Sequence, residues 1–344
     1  MNRYIYLYTP WREQGLSYDA KVIENIALDC GLKPIVTYRT KRKIEWDCDY
    51  VPIKKVAEKI NPGDIFFSFE VFPDKYLNEI SKRTPKLFHM VNYEYYDKEH
   101  FPYHQKYKYI FCKSLIGLQG CKKDGLNNIV YMPWILHNFP LYEYIPPSSN
   151  NVKVIFNGGS GGYKERRNLE SIIELIKNYP DNDVLFTIKL TKNIQRWTKN
   201  ILKQNSNYLL NDIRVKLVQE DFSRNKYVKF LSQYDLNLAP SKFEGFGLTI
   251  LEALYLNIPT ITLNVSPMNE IVKHNKTGFC METYSTGHLR SQPINEVLPE
   301  VFLITFTTLV KNKNKIIKMK NNIKNIVLDS EQRFNNYFQS VFTE

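Results

Sequence analysis

Residues 240–259 read PSKFEGFGLTILEALYLNIP, and the hydrophobic period changes partway through. YDLNLAPS (234–241) reads as a short buried strand that stops at Pro240-Ser241. EGFG (244–247) then makes a tight loop, and LTILEALYL (248–256) opens a helix. Strand, glycine-flanked loop and helix form the repeating unit of a parallel sheet with helical crossovers. The first amides of a helix have no partner inside it and carry partial positive charge, so this loop is an anion cradle. Gly245 and Gly247 would let a diphosphate come close to the backbone. Glu244 falls in the crevice outside the sheet's carboxyl end, where open α/β folds bind ligands. Glu252, about one turn into the helix, can point back toward the same crevice.

The same alternation extends in both directions. Upstream lie the strand VKVIFN (152–157) and the Gly-rich turn GGSGG (158–162). NLESIIELIKN (168–178) follows, with Leu169, Ile172, Ile173 and Ile176 at i, i+3, i+4 and i+7, which predicts a helix with one buried face. VLFTIKL (184–190) and RVKLV (214–218) read as strands, NKYVKFLSQY (225–234) as a helix and PTITLN (259–264) as a strand. This half is a doubly wound domain in its own right. In the other half RYIYLYT (3–9) reads as a strand, and GLSYDAKVIENIALDCG (15–31) as a helix stopped by Gly31. PIVTYR, DIFFSF, KLFHMV and YIFCKS read as further buried strands. IPPSSNN (145–151) is the best linker, with two prolines and then small polar residues. The expected organisation is α/β: an N-terminal Rossmann-like domain over 1–147, a second over 148–325, and a closing helix within 326–344 that returns to the first domain.

A chain of 344 residues exceeds what one core usually organises, which agrees with two domains. The five cysteines are scattered without CxxC spacing, which fits free thiols in a reducing compartment better than a disulfide frame or a zinc site. The apolar run at the N-terminus is too brief for a signal or a membrane span, so the expected location is cytoplasmic. The net charge of +12 calls for an anionic partner, and a nucleoside diphosphate, an anionic membrane face and a nucleic acid all satisfy it. Much of that charge comes from KNKNKIIKMKNNIK (311–324), which reads as the solvated face of a helix.

Glu244 and Glu252, eight residues apart around GFGLTIL, resemble the paired-glutamate motif of retaining glycosyltransferase family 4, whose members have the GT-B fold. The resemblance runs back through YDLNLAPS and on through ALYLNIPTI to SPMNEIVKHNKTGF, and one departure is Asn257, where the family usually has glycine. The resemblance implies two Rossmann-like domains facing across a cleft. It places Glu244 beside the donor sugar and Glu252 on the ribose, with the amides of Gly245, Phe246, Gly247 and Leu248 on the diphosphate. Arg166-Arg167-Asn168 is similar to the family's Arg-Lys-Asn element, and Lys189 to its second phosphate-binding lysine; arginine suits that task through bidentate bonds. Gly15 stands where the family has a glycine loop facing the donor phosphates. KLFHMVNYEYYD (86–97) resembles the strand end carrying an active-site histidine or asparagine, which leaves His89 or Asn92 as the catalytic contact.

The implied reaction moves a sugar, with retention, from a UDP- or GDP-linked donor to an acceptor hydroxyl on a glycan, a lipid (as in a glycolipid) or a protein-linked glycan. No cofactor and no metal are expected. The DxD strings at Asp47-Cys48-Asp49 and Asp181-Asn182-Asp183 follow no buried strand, and a basic, amide-lined site needs no cation. A peripheral contact with a membrane is left open, and nucleic acid is disfavoured. Two alternatives stand beside this reading: a nucleotide-sugar epimerase on the same fold, and a non-catalytic basic binding protein.

Overall fold

The computed structural model describes residues 3–70, 74–136, 139, 151–289 and 292–344. The linker IPPSSNN therefore lies, apart from Asn151, outside the described residues. The chain divides into two compact units, residues 1–138 with 329–344 and residues 139–328.

The first unit holds β1 (Tyr4–Tyr8), α1 (Gly15–Asp29), β2 (Lys33–Thr37), α2 (Val56–Lys59), β3 (Ile65–Phe69), α3 (Asp74–Ser81), β4 (Leu87–Val91), α4 (Phe101–His104), β5 (Tyr109–Cys112), α5 (Leu115–Lys123) and β6 (Ile129–Tyr131). The strands pair in parallel in the order β2-β1-β3-β4-β5-β6. Both β3 and β4 are buried at every position, which is why IFFSF and LFHMV are near-continuous apolar runs rather than alternating ones.

The second unit holds β7 (Val152–Gly159), α6 (Leu169–Asn178), β8 (Val184–Leu190), α7 (Arg196–Asn211), β9 (Val215–Gln219), α8 (Arg224–Leu231), β10 (Leu236–Ala239), α9 (Leu248–Tyr255), β11 (Thr260–Leu263), α10 (Met268–Ile271), β12 (Gly278–Met281), the hairpin β13 (Tyr284–Leu289) and β14 (Gln292–Glu296), and α11 (Pro299–Val310). Its parallel sheet runs β12-β11-β10-β7-β8-β9. From β7 the chain winds outward through β8 and β9, then returns to β10 on the other side of β7 and winds the opposite way. The strand order therefore reverses between β7 and β10, and the loops leaving those two strands flank the crevice where open α/β sheets take ligands.

The predicted strands and helices form where the periodicity placed them, with three differences. The 16-residue helix α7 has little sequence signal: RWTKNILKQNSNYLLN is polar overall and buries only Thr198, Ile201 and Leu209, so its apolar stripe is thin. The β13–β14 hairpin has little either, because its exposed positions and bulge between Ser285 and Gly287 erase a clean alternation. The tail is one helix, α12 (Lys313–Thr343), rather than a separate closing piece. Within it Lys320 corrects the expected solvated face: its ammonium is buried and donates to Asp235 Oδ1 at 3.1 Å. Asn257 fills its glycine-like place by adopting φ 57°, a left-handed conformation that asparagine tolerates better than most residues.

The last turns of α12 complete the core of the first unit. Phe338 is fully buried, with its ring centroid 4.8 Å from that of Phe111 and 5.9 Å from that of Trp134. Phe342 meets Phe88. Truncating Phe338 to alanine is expected to destabilise this unit by about 3–5 kcal/mol, read by urea denaturation.

Candidate functional site

The sheet ends at β7 and β10 determine where the polar groups stand. β10 stops just before Pro240, and the chain reaches α9 through a buried loop whose last residue, Gly247, caps the helix at φ 97°. A Cβ there would lie 3.3 Å from Ile271 Cδ1, so glycine answers both the backbone angle and the space. Ile250 and Leu251 donate back to the Gly247 carbonyl, while the amides of Leu248 and Thr249 open the helix. β7 runs on to Gly159, and a second turn follows. Gly161 takes φ 91° with Thr198 packed so closely that any Cβ would overlap its hydroxyl.

The two loops are stitched together. Arg167 closes its own turn by donating its backbone N–H to the Gly161 carbonyl, and Lys242, from the loop after β10, donates its own to the carbonyl of Arg166. The Asn168 side chain, held left-handed at the cap of α6, donates to the Pro240 carbonyl at 3.2 Å. This stitching delivers the guanidinium of Arg167 to Glu244 Oε1, and the same Nη1 reaches Thr249 Oγ1 at 3.2 Å. Arg166 Nη1 stands 3.9 Å from Glu244 Oε2, with its guanidinium over the Phe243 ring. Glu244 is only 3% exposed, so its charge depends on those two cations. A third element closes over the loop: Gln292 on β14 donates to the Glu244 carbonyl at 3.2 Å, and the Asn295 amide donates to the carbonyl of Lys242.

Glu252 comes to the same side of the sheet. It is half-buried, and its Oε2 accepts from the Tyr227 hydroxyl at 2.6 Å. Burial raises its pKa, opposed by that bond and by the charges of Arg224 and Arg167. Lys189 behaves differently. At 4% exposure its ammonium donates to the carbonyls of Leu190 (2.9 Å) and Glu220 (2.6 Å) beside the Phe222 ring, and burial lowers its pKa. No hydrogen bond or ion pair among the described residues joins it to the Glu244–Arg167 cluster.

The remaining candidates stand on the first unit. Gly15 is the first residue of α1, whose flanking Gln14 is fully extended. His89 lies inside the sheet. It is 0% exposed on the fully buried β4, where its Nδ1 is 2.8 Å from the Ser68 hydroxyl and its ring packs on Tyr107 and His104. Burial, with the nearby His104, pushes its pKa well down and favours the neutral imidazole. Asn92, just past the end of β4, is half-buried and donates to Glu70 Oε2 at 3.1 Å and Glu94 Oε1 at 3.4 Å.

Tyr227, Asn157, Thr249 and Gln292 have no sequence signal, since each belongs to an ordinary strand, helix or hairpin and acquires meaning only from its neighbours. Among the described residues no group of three or more His, Cys, Asp and Glu side chains is arranged to hold a metal ion. The carboxylates of Asp181 and Asp183 instead pair with Lys311 at 2.8 and 2.7 Å. No helix of the described residues is long and apolar enough to cross a membrane.

Glu165, in the same turn as the arginine pair, gives that turn a pH dependence. It is 6% exposed and left-handed at φ 58°, and its Oε1 accepts from the Leu169 amide at 2.6 Å, capping α6. Its Oε2 is enclosed without a partner among the described residues, and burial raises its pKa to about 7, opposed by that amide and by Lys242. A carboxyl that holds its proton more tightly when folded stabilises the fold below its unfolded pKa, and loses that contribution as pH rises through the folded value. Glu165→Gln keeps the capping acceptor without the charge. Its stability should match wild type near pH 4 and exceed it by roughly 3 kcal/mol at pH 8, measured by denaturation at both pH values.

Known proteins resemble the chain in sequence over part of its length and in fold over all of it. Residues 148–298 match the family model of the glycosyl transferases group 1. Over 57 residues the chain is 44% identical to the O-antigen biosynthesis glycosyltransferase WclY of Escherichia coli, a stretch that makes up 17% of this chain and 16% of that protein. The match thus spans about a sixth of that relative's length. The pneumococcal O-GlcNAc transferase GtfA, solved with UDP and GlcNAc, superposes over 100% of both chains with a TM-score of 0.72 at 11% identity. HepE of Anabaena, solved with UDP and glucose, covers 98% of this chain and 100% of its own with a TM-score of 0.69 at 14% identity. Residues 148–298 are thus similar to the group 1 glycosyl transferases, and the chain has a GT-B fold built of two Rossmann-like units.

Proposed function

We propose that the chain is a retaining glycosyltransferase of family 4 that moves a sugar from a nucleoside-diphosphate donor to a hydroxyl of a glycan or glycolipid acceptor. The observation that carries the reading is the buried carboxylate of Glu244, clasped by Arg167 at the open first turn of α9 where the strand order reverses. The UDP present with GtfA and with HepE favours UDP as the nucleotide.

The difficult step is departure of the diphosphate, on which negative charge develops. Preorganised donors around the leaving group are the largest single source of help that a protein can give. The amides of Gly245, Phe246, Gly247 and Leu248 receive the phosphates, and Arg166 and Arg167 supply the cations. Glu244 holds the donor sugar by its hydroxyls and polarises it without forming a covalent bond. The acceptor attacks from the face the diphosphate leaves, and a departing phosphate oxygen takes the acceptor's proton, which retains configuration. Lys189 joins the phosphates once its ammonium turns from the carbonyls of Leu190 and Glu220. In the first unit the residues proposed for this function are His89 or Asn92, and Gly15. The guanidinium pair takes the part that a divalent cation plays elsewhere, so the reaction proceeds without metal, and the enzyme works in the cytoplasm on an acceptor that can be held at a membrane face.

Purified protein with a panel of UDP-, GDP-, dTDP- and ADP-sugars and EDTA present tests this. One donor is expected to raise the melting temperature and to be slowly hydrolysed. Glu244→Ala should slow that hydrolysis by about a hundredfold or more. Hydrolysis that stops with EDTA would overturn the metal-free mechanism, and interconversion of donor sugars without release of nucleotide would replace transferase by epimerase. The anomeric configuration of the transferred sugar, read by proton NMR, decides retention.

A further inference from the structure

The hydrogen bonds around Glu252 have a direction. The Asn157 side chain, near the end of β7, gives a proton from Nδ2 to the Tyr227 hydroxyl oxygen at 2.5 Å. The tyrosine's single proton is then free to go only to its other partner, Glu252 Oε2, at 2.6 Å. The relay of amide, phenol and carboxylate therefore ends on an oxygen acceptor that is already satisfied. Glu252 Oε1 accepts from none of the described residues. A glutamate side chain turns about three bonds, and fixing it costs entropy that a ligand must otherwise supply. Here the relay has already fixed it, in the unit that carries Glu244 and beside Arg224 and Arg167, whose charges both act on it.

We propose that Tyr227, aimed by Asn157, is the positioning residue that fixes Glu252 with one oxygen turned to a sugar diol, and so makes the site selective for ribonucleoside over 2′-deoxyribonucleoside diphosphates. The inference rests on the donor-site reading above. Its physical basis is that a site built to accept from a hydroxyl rejects the analogue lacking it, because the buried acceptor is left unpaired. Tyr227 touches Glu252 rather than the ligand. Its effect is therefore on how sharply the hydroxyl is read, whereas the phosphates, held by other groups, are bound as before.

Calorimetric titration of the full chain with UDP, 2′-deoxy-UDP, GDP and 2′-deoxy-GDP tests it. Wild type should prefer the ribonucleotide. In Tyr227→Phe the ribonucleotide should bind about tenfold more weakly and the deoxy form nearly as before, so that the preference collapses. Asn157→Ala, which frees the phenol, should reduce the preference in the same sense but by less, and it serves if the first variant does not fold. Equal weakening of both forms, or an unchanged preference, would assign Tyr227 to packing and overturn the inference while the donor site stands. Wild type that binds both forms alike would overturn it in the same way. Binding of none of the four nucleotides by wild type would instead bring down the donor-site reading, and this inference with it.

Discussion

A carboxylate enclosed as fully as Glu244 holds its charge only beside a countercharge, and Arg167 supplies it. That requirement fixes much of the second unit. The arginine must arrive from a different loop than the glutamate, so the turn after β7 has to be tied to the loop after β10, and the bonds from the Lys242 amide to the Arg166 carbonyl and from the Asn168 side chain to the Pro240 carbonyl make those ties. The ties in turn need backbone angles that most residues avoid. Lys164, Glu165 and Asn168 all take positive φ within five residues, and Glu165 offsets part of that strain by capping α6.

The β13–β14 hairpin extends this logic outward. Two of its contacts on the site loop are to backbone carbonyls, at Glu244 through Gln292 and at Lys242 through Asn295. Such contacts position a loop whatever side chains the loop carries. The Lys242–Glu296 pair, at 2.9 Å and partly shielded, adds a side-chain link at the same seam.

Sequence legibility followed the physics of each element. The parallel strands and the helices packed on them carry strong apolar periods, so LFHMV, VLFTIKL and LTILEALYL could be read directly. Glu244, Glu252 and the arginines were legible because a strand-loop-helix boundary concentrates open amides, glycines and charge within a few residues. The surroundings of His89 were not legible, because a polar residue within an apolar strand looks alike whether it faces a ligand or a hydroxyl of the core, and its partner Ser68 lies 21 residues away on a neighbouring strand. Tyr227 and Asn157 were invisible for the related reason that their meaning is a relay between a helix and a strand 70 residues apart. Lys320 looked solvated because its partner Asp235 is 85 residues distant.

The single helix α12 imposes an order on synthesis. The first unit comprises residues 1–138 and 329–344, so Phe334, Phe338 and Phe342 reach its core only after the whole second unit has been made. At ribosomal speeds those intervening 190 residues (139–328) take roughly 10–40 s to add. During that interval the aromatic faces of Phe67, Phe88, Phe111 and Trp134 wait uncovered on the nascent chain. The unit translated first is thus the unit completed last, and its vulnerable period is the time in which the other half is being built.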